Sequence, residues 1–177
     1  MIRFFHILLV ILFFLISCKR NEEKNISHLP DDKSIMDVNR FLVEKDLELI
    51  QSFIKRRNWD MTETTTGYWY SIVHVANGRE VKKGMIVSMD YTESLLDGRI
   101  CNTTNESGPK TFRAGYGEMI RGLDEGIELL SEGDSARFIF PPHLAYGLSS
   151  DGINIPPRSV VVYEVIVRSV SEDQKDL

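Results

Sequence analysis

Two thiols and one proline-framed loop are the parts of this chain whose residue types and spacing could do chemistry. Cys18 and Cys101 are its two cysteines. Cys18 closes the run Leu15-Ile16-Ser17-Cys18, where a branched apolar residue and then a small one precede the thiol. Cys101 has no obviously basic neighbour to lower a thiol pKa, so it reads as a small apolar side chain. His6, His28, His74 and His143 are scattered, and no spacing suits a metal. There is no Ser/His/Asp constellation, no Gly-rich phosphate loop and no pair of carboxylates at a strand end. The loop from Pro141 to Pro157 holds four of the chain's six prolines. Prolines fix φ and hold a loop in shape, and a long loop in a compact domain is usually functional or disordered. This one, stiffened and carrying Tyr146, Ile153 and Ile155, reads as functional.

Such a loop must be held by something, and the organising stretch is Met119 to Ile127. As a helix it puts Ile120, Leu123, Ile127 and Leu130 on one face and Arg121, Asp124, Glu125 and Glu128 on a wet one. Gly122 and Gly126 each cost roughly 0.5–1 kcal/mol inside a helix, which predicts a neighbour packed close against its backbone. Around it the chain alternates in strand fashion. Tyr68 to Val75 is rich in β formers. Val87, Met89 and Tyr91 share one face, as do Ala136, Phe138 and Phe140, and then Val161, Tyr163, Val165 and Val167. Asn77-Gly78, Asp97-Gly98 and Gly133-Asp134 mark turns. Many strands, one short helix and no βαβ alternation give an α+β domain with an antiparallel sheet.

The chain ends and their composition set the context. Of its 177 residues 42% are apolar and 27% charged, and the net charge is −5. That suits a globular core and argues against a nucleic-acid partner, since no Lys/Arg stripe appears. A short basic start, Met1-Ile-Arg3, precedes an apolar run from Phe4 to Ile16. The run is too short for a bilayer span of roughly 20 residues but fits a signal-peptide core. With Leu15-Ile16-Ser17-Cys18 it resembles a bacterial lipobox, so Cys18 is the expected lipidation site and no disulfide to Cys101 is expected. Two or three acyl chains would anchor the protein firmly. The expected order is signal peptide 1–17, polar tether 18–30, helical arm 31–61, folded domain 62–171 and polar tail 172–177. The acidic stretch after Cys18 resembles the surface-export signal of Bacteroidetes lipoproteins. The location implied is the cell envelope, at the outer membrane, on its periplasmic or surface face. In the arm, Ile35, Val38, Leu42, Leu49, Ile50 and Phe53 recur at helical spacing. They predict one or two helices that pack on the domain or reach for a partner.

The strings Tyr91-Thr92, Leu96-Asp97-Gly98, Ile120-Arg-Gly-Leu-Asp-Glu-Gly126, Ala145-Tyr-Gly147 and Ile155-Pro-Pro157 occur in that order. Together they resemble the FKBP-type peptidyl-prolyl isomerases over about Gly67 to Val170. With the lipobox and the arm, the chain is similar to the lipoprotein FKBPs associated with gliding motility in Bacteroidetes. The resemblance implies an FKBP-like antiparallel half-barrel wrapped on one short helix, binding proline-containing polypeptides and FKBP-directed macrolides without metal or cofactor. Carried over by position, the substrate-binding pocket is Tyr91, Cys101, Phe112, Met119, Leu123 as floor, Ile155 and Tyr163. The catalytic contacts are the Tyr146 hydroxyl to a substrate carbonyl, the Ile120 backbone N–H, and Asn102 beside the rotating bond.

Three places depart from the family pattern. Cys101-Asn102-Thr103-Thr104 stands where Phe-Asp-Ser-Ser is usual, so an aromatic wall and a carboxylate are missing. Lys110 replaces a second aromatic wall, and Tyr163 stands where Phe is usual. These changes imply a shallower, wetter pocket. They leave a second possibility beside a membrane-anchored isomerase of exported proteins: a non-catalytic binding module or chaperone on the same scaffold.

Overall fold

The computed structural model describes residues 32–173. The expectations for the signal peptide, the tether and Cys18 fall on residues outside that range. A single helix, α1 (Asp32–Arg57), comes first and ends on Lys55, Arg56 and Arg57, cations at the negative end of its dipole. The contacts described below lie within the compact unit Asn39–Leu177. Seven strands follow: β1 (Thr62–Glu63), β2 (Trp69–His74), β3 (Ile86–Leu95), β4 (Ile100–Thr103), β5 (Lys110–Arg113), β6 (Ser135–Phe140) and β7 (Val161–Ser171). Between β5 and β6 lies the short helix α2 (Arg121–Gly126), continued by a tighter turn, Ile127–Leu129.

The strands form one antiparallel sheet in the order β1-β2-β6-β7-β3-β4, with β5 pairing the first half of β3. Period-2 alternation gives the sheet two apolar faces. On one, Val87, Met89, Phe112, Ala136, Phe138, Phe140, Val161, Tyr163, Val165 and Val167 are buried with Leu123, Ile127 and Leu130. Full burial of each large apolar side chain contributes roughly 1.5–3 kcal/mol, so α2 is held by packing rather than by its own propensity. On the other face, Trp69, Ile139, Val160 and Val162 meet Ile50 and Phe53 of α1. Arg137 lies 4.6 Å over the Trp59 ring, and Arg158 pairs with Asp46 at 2.6 Å. The second half of α1 is thus part of the domain.

The close neighbours that the α2 glycines demanded are phenylalanines. A Cβ on Gly122 would lie 2.3 Å from Phe140 Cδ1, and one on Gly126 2.9 Å from Phe138 Cε1. Two details of the helix differ from the sequence expectation. It is shorter, with Met119 and Ile120 before its first turn and Leu130 already extended. Asp124 is not on a wet face: it is buried, and its two oxygens accept the backbone N–H of Gly115 at 2.9 Å and Gly117 at 2.8 Å. The loop before α2 folds over that face and needs an acceptor there.

Candidate active site

The site grows from one row of residues across the sheet. Tyr70, Phe138, Tyr163, Glu93 and Asn102 are successive cross-strand partners on β2, β6, β7, β3 and β4. Phe138 and Tyr163 are core. Glu93 occupies the next inward position of β3 after Val87, Met89 and Tyr91, with Leu95 beyond it. It is a carboxylate set in an apolar series, and it is 1% exposed.

Its surroundings are specific. Asn102 Nδ2 donates to Glu93 Oε2 at 2.6 Å, and the Tyr146 hydroxyl donates to the same oxygen at 3.2 Å. Among the described residues, Glu93 Oε1 has no hydrogen-bond partner. Burial pushes the Glu93 carboxyl above its ordinary pKa, opposed by the hydrogen bonds from Asn102 and Tyr146 and by the nearby Tyr163 hydroxyl, and reinforced by the charge of Asp151. Burial, and then the Glu93 charge, raise Tyr91, Tyr146 and Tyr163, so all three stay neutral phenols. Tyr91 and Tyr163 stack with ring centroids 5.5 Å apart.

The proline-framed loop is organised by Asp151. One of its oxygens accepts the backbone N–H of Ile153 at 3.0 Å, Asn154 at 2.9 Å and Ile155 at 2.7 Å. Some desolvation opposes ionisation, but these three N–H groups hold the carboxyl below its ordinary pKa. Asn154 ties the loop to β4, its Nδ2 donating to the Cys101 carbonyl at 3.1 Å. Ile155 is driven into the core at 1% exposure. Burial pushes the Cys101 thiol up, more than Arg99 lowers it, as suits a small apolar wall.

Tyr91 on β3, Cys101 on β4, Phe112 on β5, Met119 and Ile120 before α2, Leu123 within it, Tyr146 and Ile155 on the loop, and Tyr163 on β7 all fall in one apolar cluster or pack against it. Asn102 joins it through Glu93. Tyr91, Met119, Ile120, Tyr146 and Asn102 are half-buried, whereas Phe112, Leu123, Ile155 and Tyr163 lie beneath them. Lys110 is exposed at the edge of β5. The Tyr146 hydroxyl, expected to be free for a substrate carbonyl, is engaged by Glu93. Sequence reasoning passed over Glu93 and Asp151. The signals were an acidic residue in phase with Val87, Met89 and Tyr91, and an Asp-Gly step inside the loop.

The described residues thus form an antiparallel sheet wrapped on a short helix, with a mixed aromatic and polar corner under a stiff loop. Residues 77–168 match the family model described as FKBP-type peptidyl-prolyl cis-trans isomerase, and the chain belongs to that family. It is 31% identical over 113 residues to a probable FKBP-type peptidyl-prolyl cis-trans isomerase of Haemophilus influenzae, covering 63% of this chain and 46% of that one. It is 36% identical over 96 residues to FK506-binding protein 2 of Yarrowia lipolytica, covering 54% and 67%. The chain therefore spans about half the length of the first of these curated relatives. The fold is similar to that of FkpA from Escherichia coli, with a TM-score of 0.62 at 24% identity over 80% of this chain and 74% of that one.

Proposed function

We propose that this chain catalyses rotation about Xaa-Pro bonds in exported polypeptides, held at the membrane by a lipid on Cys18. The observation that carries the proposal is the convergence of Tyr91, Met119, Ile120, Tyr146, Ile155 and Tyr163 on one apolar cluster in a chain of this family. Rotation has a barrier of ~18–20 kcal/mol because it breaks amide resonance. The twisted amide carries less charge separation than the planar one, so a dry aromatic wall favours it over the ground state. Ile155 and the Tyr91–Tyr163 stack supply that wall. The Ile120 N–H and the Tyr146 hydroxyl are the donors a substrate carbonyl would seek, and Asn102 stands beside them. For Tyr146 this requires exchange with Glu93.

The envelope location rests on the Leu15-to-Cys18 motif and the apolar run before it. The similarity to gliding-associated lipoproteins rests on that motif and the arm. One observation favours a second reading, a non-catalytic binding module of an envelope complex: the Tyr146 hydroxyl and Asn102 are both engaged by Glu93. The test is an isomerisation assay on the full-length chain in mild detergent, with an Xaa-Pro peptide and an FKBP-directed macrolide. Macrolide-sensitive turnover supports the isomerase. A folded protein without turnover favours the binding module.

A further inference from the structure

We infer that Glu93 sets the specificity of this site by selecting proline-containing segments that bring a hydrogen-bond donor, above all a lysine or arginine side chain flanking the proline, to its unpartnered carboxylate oxygen. The inference rests on the site proposed above and deepens it by naming a substrate class.

Three observations carry it. Glu93 is 1% exposed, yet among the described residues its Oε1 has no hydrogen-bond partner. A buried acceptor left unmade is costly, and a buried ionised carboxylate is normally paired. The two donors within hydrogen-bond geometry of the carboxylate, Asn102 Nδ2 and the Tyr146 hydroxyl, both sit on Oε2, and the nearby Tyr163 hydroxyl leaves Oε1 without a hydrogen bond. The groups acting on it, Asn102, Tyr163, Tyr146 and Asp151, include no cation. A ligand that brings a donor therefore relieves a cost the free protein bears, and a cationic donor gains most because charged hydrogen bonds are the stronger ones. The terminal torsion of a glutamate is broad and roughly two-fold, so a half-turn exchanges the two oxygens and the incoming donor need not approach one fixed side. A ligand that offers only a carbonyl must instead compete with Glu93 for the Tyr146 hydroxyl.

The test compares two proline peptides that differ only in lysine or norleucine before the proline, and a second pair with the change after it. Norleucine keeps the apolar stem and removes the donor. Binding is measured by calorimetry on the full-length chain at about 0.5 M salt, where long-range attraction to a net charge of −5 is screened. At pH 8 the wild type should bind the lysine form of at least one pair about ten-fold or more tighter, the size of a hydrogen bond to a charged group. Glu93→Gln should bind both members equally. A readout that needs no variant is the same ratio at pH 4. There Glu93 takes up its proton, Tyr91, Tyr146 and Tyr163 remain neutral, and the lysine preference should collapse. Equal binding of lysine and norleucine by the wild type in both pairs, or a preference that survives in Glu93→Gln and at pH 4, overturns the inference. Turnover of the same peptides separates the claims. Peptides that bind with lysine preference but are not isomerised defeat the isomerase alone; peptides isomerised without preference defeat this inference alone; no binding defeats both.

Discussion

Two corners of this domain bury carboxylates, and they treat them in opposite ways. In the corner where loops close around α2, Asp124 receives Gly115 and Gly117, one N–H on each oxygen. Asp134 likewise receives Ala76 at 2.6 Å and Ser131 at 2.8 Å, one on each oxygen. Both staple loops. In the corner under the proline-framed loop, Glu93 receives two side-chain donors on one oxygen and none on the other. A carboxylate whose lone pairs go to backbone N–H groups holds the fold; one left half satisfied among aromatic side chains is placed for something that arrives. The stapling aspartates can be cut only at a cost in stability, whereas Glu93 should be removable with little loss or with gain.

Several variants can break that contrast. Asp124→Ala removes two charge-assisted bonds and orphans two N–H groups, which should cost about 3 kcal/mol and lower the midpoint of a thermal melt by roughly 10 °C. Gly122→Ala pushes a methyl to 2.3 Å from Phe140. It should cost about 1–3 kcal/mol despite alanine's better helix propensity, and a denaturant titration reads it. Glu93→Gln keeps shape and removes a poorly compensated charge, so at pH 8 it should be neutral or stabilising by about 1 kcal/mol. A loss as large as that of Asp124→Ala would show that Glu93 is a staple too. The smallest effect is its pH dependence. The folded-state pKa of Glu93 is raised above 4.5, so its favourable contribution is complete below that ordinary value and is lost as pH rises through the folded value. The stability difference between Glu93→Gln and the wild type should grow over that window and be near zero at lower pH.

Much of this architecture was legible beforehand. Alternation at Val161, Tyr163, Val165 and Val167 gave the inner face of β7, and Gly122 and Gly126 announced close neighbours, which the structure identifies as the Phe140 and Phe138 rings. The ordered strings from Tyr91-Thr92 to Ile155-Pro-Pro157 picked out residues that the fold brings into or against one apolar cluster. What escaped was set by tertiary context. A helical wheel puts Asp124 in water, and only the folded loop above it reveals two N–H groups waiting for an acceptor. Glu93 broke an apolar alternation and so looked like its end, although it held the next inward position. Leu123, expected as a pocket floor, is 0% exposed; a charge there would disrupt the core rather than probe substrate binding.

The central claim is that the corner of Tyr91, Glu93, Asn102, Tyr146 and Ile155 is where a proline-containing chain is bound and turned. The most direct measurement is Xaa-Pro isomerisation by the full-length chain and by its Tyr146→Ala variant, with circular dichroism to verify folding. Turnover by the wild type that falls more than ten-fold in a folded Tyr146→Ala protein is the predicted result. Undiminished turnover in that folded variant would contradict the claim.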